Sequence, residues 1–196
     1  MAPIHIKIGE MDDRNDGGLT VNKNIEQVIH ILDSNYDKYP KLSEMLIKLT
    51  GEGHQSQKML IFCQTKKGVD LLERDLRQDR ELLGRVNYEV RGIHGDKLQS
   101  HRDEIYRRFK VPITDGAGNR GTRSNILLAT DVASRGLDVK DVDVVVNFDM
   151  PTCIEDYVHR IGRTGRAGAT GVAHAFFTKK ELSLAPKLVT VLRRAD

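Results

Sequence analysis

Arg160, Arg163 and Arg166 recur at every third residue of the stretch His159-Arg160-Ile161-Gly162-Arg163-Thr164-Gly165-Arg166, with Gly162, Gly165 and Gly168 between or beside them. From Tyr157 through Lys180 the chain has no Asp or Glu. A guanidinium that leaves bulk water needs an anionic or carbonyl partner, and no carboxylate close in sequence supplies one. The glycines let the backbone approach a ligand closely. A phosphate-rich ligand fits this pattern better than a structural ion-pair network. The blander reading is a solvated Arg-Gly loop, against which the preceding strand and helix patterns speak.

Further candidates follow apolar runs. Thr65 and Thr130 each stand where a strand gives way to a helix, where a hydroxyl caps the helix and free backbone N–H groups can hold a phosphate oxygen. Capping alone also accounts for either residue. Asp138 follows Arg135-Gly136 in a turn, as a ribose-binding carboxylate or an ordinary turn aspartate. Gln99 and Arg102 lie three apart on one helix face, downstream of His94-Gly95-Asp96-Lys97. That spacing suits contacts to a nucleic-acid backbone, and equally a solvated face.

The elements that must position these residues are legible as periodicities. Ile25 to Ile31, Met59 to Phe62, Tyr88 to Ile93, Ile126 to Ala129, Val142 to Phe148 and Val172 to Phe177 read as strands. Leu42, Met45, Leu46 and Leu49 fall at helical spacing, and Val69, Leu72 and Leu76 repeat the stripe. Further helices fit Leu98 to Phe109, Ile154 to about Ile161, and Glu181 to Leu192. Strands alternating with helices predict a single α/β domain, a doubly wound, mostly parallel sheet flanked by helices. In such sheets ligands bind at the carboxyl ends of the strands, where the candidates fall. Two stretches break the rhythm: Asp12 to Gly18, a polar turn-rich loop within an opening strand and loop over residues 1–24, and Val111 to Ser124, a Gly-rich polar run read as a surface insertion.

Composition narrows the classes. The 196 residues suit one domain. No apolar run reaches the ~18–20 residues needed to span a bilayer, so no membrane role is expected. The start lacks a signal-peptide apolar region, which points to an intracellular protein. Cys63 and Cys153 are the only cysteines and form no C-x-x-C, against a disulfide scaffold or zinc ribbon; no metal ligands are expected in the chain. The net charge of +3 conceals a split: residues 157–196 hold eight Lys+Arg against two Asp+Glu, and the remainder 23 against 26. Basicity is thus focused around the arginine stretch. Aromatics at 5% without Trp argue against a base-stacking platform.

Ala129-Thr130-Asp131-Val132-Ala133-Ser134-Arg135-Gly136-Leu137-Asp138 and the His159 to Arg166 stretch resemble motifs V and VI of the DEAD-box RNA helicases. Leu60 to Lys66 is similar to motif IV, and Ile93 to Lys97 with Gln99 and Arg102 to motif IVa. Ile4 to Gly9 and Phe176-Phe177-Thr178 resemble the Dbp-type helicases of nuclear RNA processing. The resemblance covers almost the whole chain. It implies a RecA-like fold, the second of two such domains, with ATP in the cleft between them and RNA across both. Arg163 and Arg166 match the arginines that meet the γ-phosphate, Arg166 as the arginine finger, and Asp138 the carboxylate at the ATP ribose. His159, Arg160 and Arg135 match residues bridging to the first domain. Thr65, Gly95, Gln99, Arg102 and Thr130 match positions that hold the RNA sugar-phosphate backbone.

The chain departs from the family in carrying neither a G-x-x-x-x-G-K-[ST] phosphate loop nor a D-E-A-D sequence. The resemblance therefore implies the carboxyl-terminal half of a longer, monomeric helicase, nuclear or cytoplasmic, inactive in ATP hydrolysis by itself. ATP, with Mg2+ held by the amino-terminal DEAD domain, RNA and that domain are the implied partners. The insertion is longer than the family's connection at this point, and reads as a mobile loop or a partner site on the face opposite the ligand edge. The alternative class is a stand-alone RNA-binding or scaffold module.

Overall fold

The computed structural model describes residues 4–6, 22–50, 56–111, 123–134, 142–166 and 168–194. They build one sheet of seven strands: β1 (Ile4–Ile6), β2 (Ile25–Ile31), β3 (Lys58–Phe62), β4 (Tyr88–Ile93), β5 (Ser124–Ala129), β6 (Val144–Asn147) and β7 (Gly171–Phe177), in the order β1-β2-β7-β6-β3-β5-β4. β2 to β7 are mutually parallel, and β1 adds antiparallel to β2 with Ile4 opposite Ile29. The helices are α1 (Lys38–Thr50), α2 (Lys66–Gln78), α3 (Arg80–Leu83), α4 (Gln99–Lys110), α5 (Asp131–Ser134), α6 (Ile154–Ile161) and α7 (Ala185–Arg194).

The central strands are apolar throughout because both faces are covered. Met59, Leu60, Ile61 and Phe62 of β3 are fully buried, as are Leu127 and Leu128 of β5 and Val145 and Val146 of β6. One core layer holds Leu42, Leu46, Val69, Leu72 and Leu76 against Met59, Ile61 and Val90. The opposite layer packs Ile105, Phe109, Ile154, Tyr157, Ile161 and Leu188 against Leu60, Phe62 and Leu127. Edge strand β4 alternates instead, with Tyr88 and Val90 buried and Glu89 and Arg91 half-buried.

Local hydrogen bonds set several of the element boundaries. α2 stops at Asp79, whose carboxylate accepts from Leu82 N at 2.9 Å and starts α3. The final helical pattern is two pieces: a 3-10 stretch over Lys179–Leu184, opened by a Thr178/Glu181 capping box, precedes α7. β6 ends at Asn147 rather than Phe148, because the Asp149 amide donates back to Phe62 O at 3.1 Å and turns the chain. β5 starts at Ser124, two residues before its apolar run, by pairing with Tyr88.

From β3 the chain runs to β4 and β5 on one side, then crosses to β6 and β7 on the other. The carboxyl end of β3 is thus the topological switch point, where a crevice opens between diverging connections.

Candidate functional site

That crevice is a cavity of about 330 Å³. Phe62 forms its floor, Asp131 and Ser134 of α5 one wall, and Asp156, His159, Arg160 and Arg163 the other. α6 presents the second wall because Ile154, Tyr157 and Ile161 bury its opposite side. Tyr157 anchors it further, its hydroxyl donating to Gln27 Oε1 at 2.9 Å, and burial pushes that phenol's pKa upward.

Arg160 organises the crevice. Its side chain is only 2% exposed. Nε and Nη2 donate to Asp131 Oδ1 and Oδ2 at 2.7 and 2.8 Å in a two-pronged pairing. Nη1 donates to Asn147 Oδ1 at 2.9 Å and to Asp149 O at 2.7 Å, and the guanidinium lies 4.9 Å from the centre of the Phe62 ring. The absence of nearby carboxylates in sequence therefore does not leave this arginine unpaired; the fold delivers Asp131 from 29 residues away. Asp149 is held in turn: Lys38 Nζ donates to its Oδ1 at 2.8 Å and Gln64 N to its Oδ2 at 3.0 Å. The ends of β3, β5 and β6 and the start of α1 are thereby joined to α6 by one polar network.

His159 and Arg163 flank Arg160 in sequence and line the cavity. Arg166 lies one turn on, in the loop after α6. Its Nε donates to Gly162 O at 2.6 Å, and it makes no other hydrogen bond or ion pair among the described residues. The loop's path is fixed by sterics. Gly165 has φ of +66°, and a Cβ there would lie 2.6 Å from Ile25 Cγ1. Thr164, 1% exposed, puts its hydroxyl within hydrogen-bond reach of Val142 O and Asp143 O, and Asn22 Nδ2 donates to Gly165 O.

The second group gathers on the neighbouring strand ends. Thr65 follows β3, Thr130 follows β5, and Gly95 follows β4, three adjacent strands of the sheet. Thr65 caps α2, its Oγ1 accepting from Gly68 N at 2.9 Å, which leaves its own proton to donate outward. Lys66 and Asp96 bridge the β3 and β4 loops at 2.5 Å, and the Lys66 hydrogen bond holds the Asp96 carboxyl below its usual range. Gly95 is exposed, with nothing within 4 Å of where a Cβ would stand, so the fold itself does not require a glycine there. Gln99 accepts from Arg102 Nη1 at 3.1 Å and donates to Asp103 at 2.7 Å, which orients both side chains on the first turn of α4. Arg102 Nε is buried and has no partner among the described residues.

Asp138 and Arg135 lie outside the described residues, as do residues 112–122 of the expected insertion. Sequence reasoning gave no role to Asp131, Asn147, Asp149 or Lys38. The available signal was Asn147 to Asp149, a polar end on the apolar run Val144-Val145-Val146; Lys38 has no such mark. Among the described residues, no group of three or more His, Cys, Asp or Glu could hold a metal, and no helix is long and apolar enough to cross a membrane.

Residues 37–168 match the helicase conserved C-terminal domain. The chain is 42% identical over 194 residues to ATP-dependent RNA helicase DBP3 of Saccharomyces cerevisiae, covering 99% of this chain and 33% of that protein. It is 40% identical to DEAD-box ATP-dependent RNA helicase 46 of Arabidopsis thaliana, covering 99% of this chain and 26% of that protein. It thus spans a third or less of these relatives' length. Among solved structures it resembles the yeast DEAD-box splicing factor Prp28, with a TM-score of 0.72 and 30% identity over 93% of this chain and 35% of that one. It also resembles E. coli DEAD-box protein SrmB, solved bound to regulator of ribonuclease activity A, with a TM-score of 0.60 and 32% identity over 82% and 81%. With a parallel sheet of RecA type, basic motifs at its strand ends and these likenesses together, the chain belongs to the DEAD-box RNA helicase family as a helicase C-terminal domain.

Proposed function

We propose that the chain is the carboxyl-terminal half of an ATP-dependent RNA helicase, acting inside the cell by closing its strand-end edge onto an amino-terminal DEAD domain. That domain brings the phosphate loop, the water-positioning carboxylate and the Mg2+ ligands, none of which this sequence carries. The observation that supports this most is the crevice at the switch point, with His159 and Arg163 on its wall and Arg160 clamped between them.

On this reading Arg163 and Arg166 meet the γ-phosphate and Asp138 takes the ribose. The guanidinium of Arg166 stabilises charge that builds on the transferred phosphoryl oxygens, the arginine-finger role. His159 and Arg135 bridge to the first domain. Arg160 serves the same interface by placement, since its donors are engaged inside this chain while His159 beside it is exposed and Arg163 beyond the helix lines the cavity. Thr65, Gly95, Gln99, Arg102 and Thr130 hold the RNA sugar-phosphate backbone, independently of base sequence. The 196 residues alone bind RNA weakly as a monomer and do not turn over ATP.

The decisive experiment is Arg166→Ala in the full-length protein. RNA-stimulated ATP turnover should fall by about 10³ or more, with ATP binding little changed. Unchanged turnover would reject the finger assignment and favour a non-catalytic RNA-binding module.

A further inference from the structure

The edge of β4, which no described strand covers, carries a charge imbalance that the helicase reading does not use. Among the described residues, three carboxylates there each serve two cations. Glu73 pairs with Arg77 at 2.7 Å and Lys97 at 3.3 Å. Glu89 pairs with Arg91 and with Arg123, the latter at 3.2 Å. Glu104 pairs with Arg107 at 2.9 Å and Arg108 at 2.5 Å. Six cations on three carboxylates leave these clusters with an excess of three positive charges. Arg77, Arg91 and Arg123, with Glu89, Leu83 and Tyr88, line a second cavity of about 330 Å³. Crowding of like charge is felt at Arg91, whose pKa is lowered first by burial and then by Arg108, Arg77 and Arg123.

The edge is closed to a peptide strand. Arg77 donates to Val90 O through Nη2 at 3.0 Å, and Lys97 donates to Gly92 O at 2.6 Å. These carbonyls would otherwise template strand addition. What remains on offer is a row of guanidiniums over a partly apolar floor, which suits a phosphodiester chain rather than an extended peptide. The row is continuous with the Gly95, Gln99 and Arg102 end of the same strand, and at ~3.3 Å per residue the six residues of β4 extend it by about 20 Å.

We propose that the β4 edge is a second RNA track, taking single-stranded backbone that leaves the cleft past Gln99 and Arg102. The inference rests on the RNA-binding reading of that strand end. The test compares a short single strand that fills only the cleft with a longer one extended on the β4 side, bound to the full-length protein over a salt series. Each single-strand phosphate contact contributes ~0.7 to the salt slope, which at 0.1 M salt is ~5-fold in affinity. Arg91→Gln, Arg108→Gln and Arg123→Gln together should lower the slope for the long strand by about 2 and its affinity by up to about 100-fold. Short-strand affinity and the ATP turnover it stimulates should not change. The single variant Arg123→Gln, at a half-exposed side chain, should give about 5-fold on the long strand alone and guards against misfolding of the triple variant. Equal losses on both strands, no loss on the long one, or loss of binding to a poly-glutamate probe in place of RNA would overturn the proposal. Failure of the underlying reading shows separately: Arg102→Ala would then leave short-strand binding unchanged.

Discussion

Replacing Asp131 with Ala isolates the polar network that builds the crevice. In the folded chain Arg160 is 2% exposed and two of its donors rest on the Asp131 carboxylate at 2.7 and 2.8 Å. Removing that carboxylate leaves a buried cation held only by neutral acceptors, Asn147 Oδ1 and Asp149 O. Breaking a buried pair costs roughly 3–5 kcal/mol. Asp131 is itself 29% exposed, so water relieves part of the loss and the low end, about 3 kcal/mol, is expected. For a chain of this size that lowers Tm by about 6–12 °C. Arg160→Ala should cost a similar amount, through the unpaired Asn147 and Asp149 acceptors and the lost face on Phe62. Because both changes break the same contacts, the double variant should be about 2 kcal/mol less destabilised than the sum. Urea unfolding of the 196-residue chain and its three variants measures all of these. A cost under about 1 kcal/mol for Asp131→Ala, or additivity within about 0.5 kcal/mol, would refute the view that this pair holds α6 onto the sheet.

Two glycines should part company. Gly165→Ala meets a left-handed backbone and Ile25, and should lose about 2–4 kcal/mol in thermal unfolding; Gly95→Ala meets nothing, should keep its Tm, and should weaken RNA binding because a methyl then stands in the backbone's path. Hydrogen bonds from Leu82 N and then from Tyr39 hold the Asp79 carboxyl below its ordinary value. A carboxyl depressed on folding contributes stability that is present above its unfolded pKa and lost as pH falls through the folded one. Asp79→Ala should therefore cost about 1 kcal/mol at pH 7, from the lost cap, and the difference from the unmodified chain should shrink below pH ~4 in urea midpoints measured across that range.

The alternation of apolar runs and helical stripes determined the fold class, because central strands covered on both faces must be apolar along their length and amphipathic helices must cover them. β3, β5 and β6 and the stripe Val69, Leu72 and Leu76 obey that rule. The α6 span was legible, its start at Ile154 and its end near Ile161, because Ile154, Tyr157 and Ile161 mark its buried side. Its arginine stretch was legible as a local motif. Boundaries set by side-chain hydrogen bonds, such as the break at Asp79 or the 3-10 turn after Thr178, carry no periodic signal and are decided by the folded chain.

The site divides along the same line. Local spacing marked Arg160, Arg163 and Arg166 as a group, and it treated them alike. Only tertiary structure separated Arg160, sealed against Asp131, Asn147 and Asp149, from Arg163 on the cavity wall and from Arg166, which is held by a single backbone contact. The charge excess along β4 was likewise invisible, since acidic and basic residues alternate over residues 70–110 and nearly balance there, nine Asp and Glu against ten Lys and Arg. A linear chain records which charges are present and how they repeat locally. Which ones share a carboxylate across elements, as Glu73 with Lys97, Glu89 with Arg123 and Asp131 with Arg160 do, is decided by contacts between residues tens of positions apart.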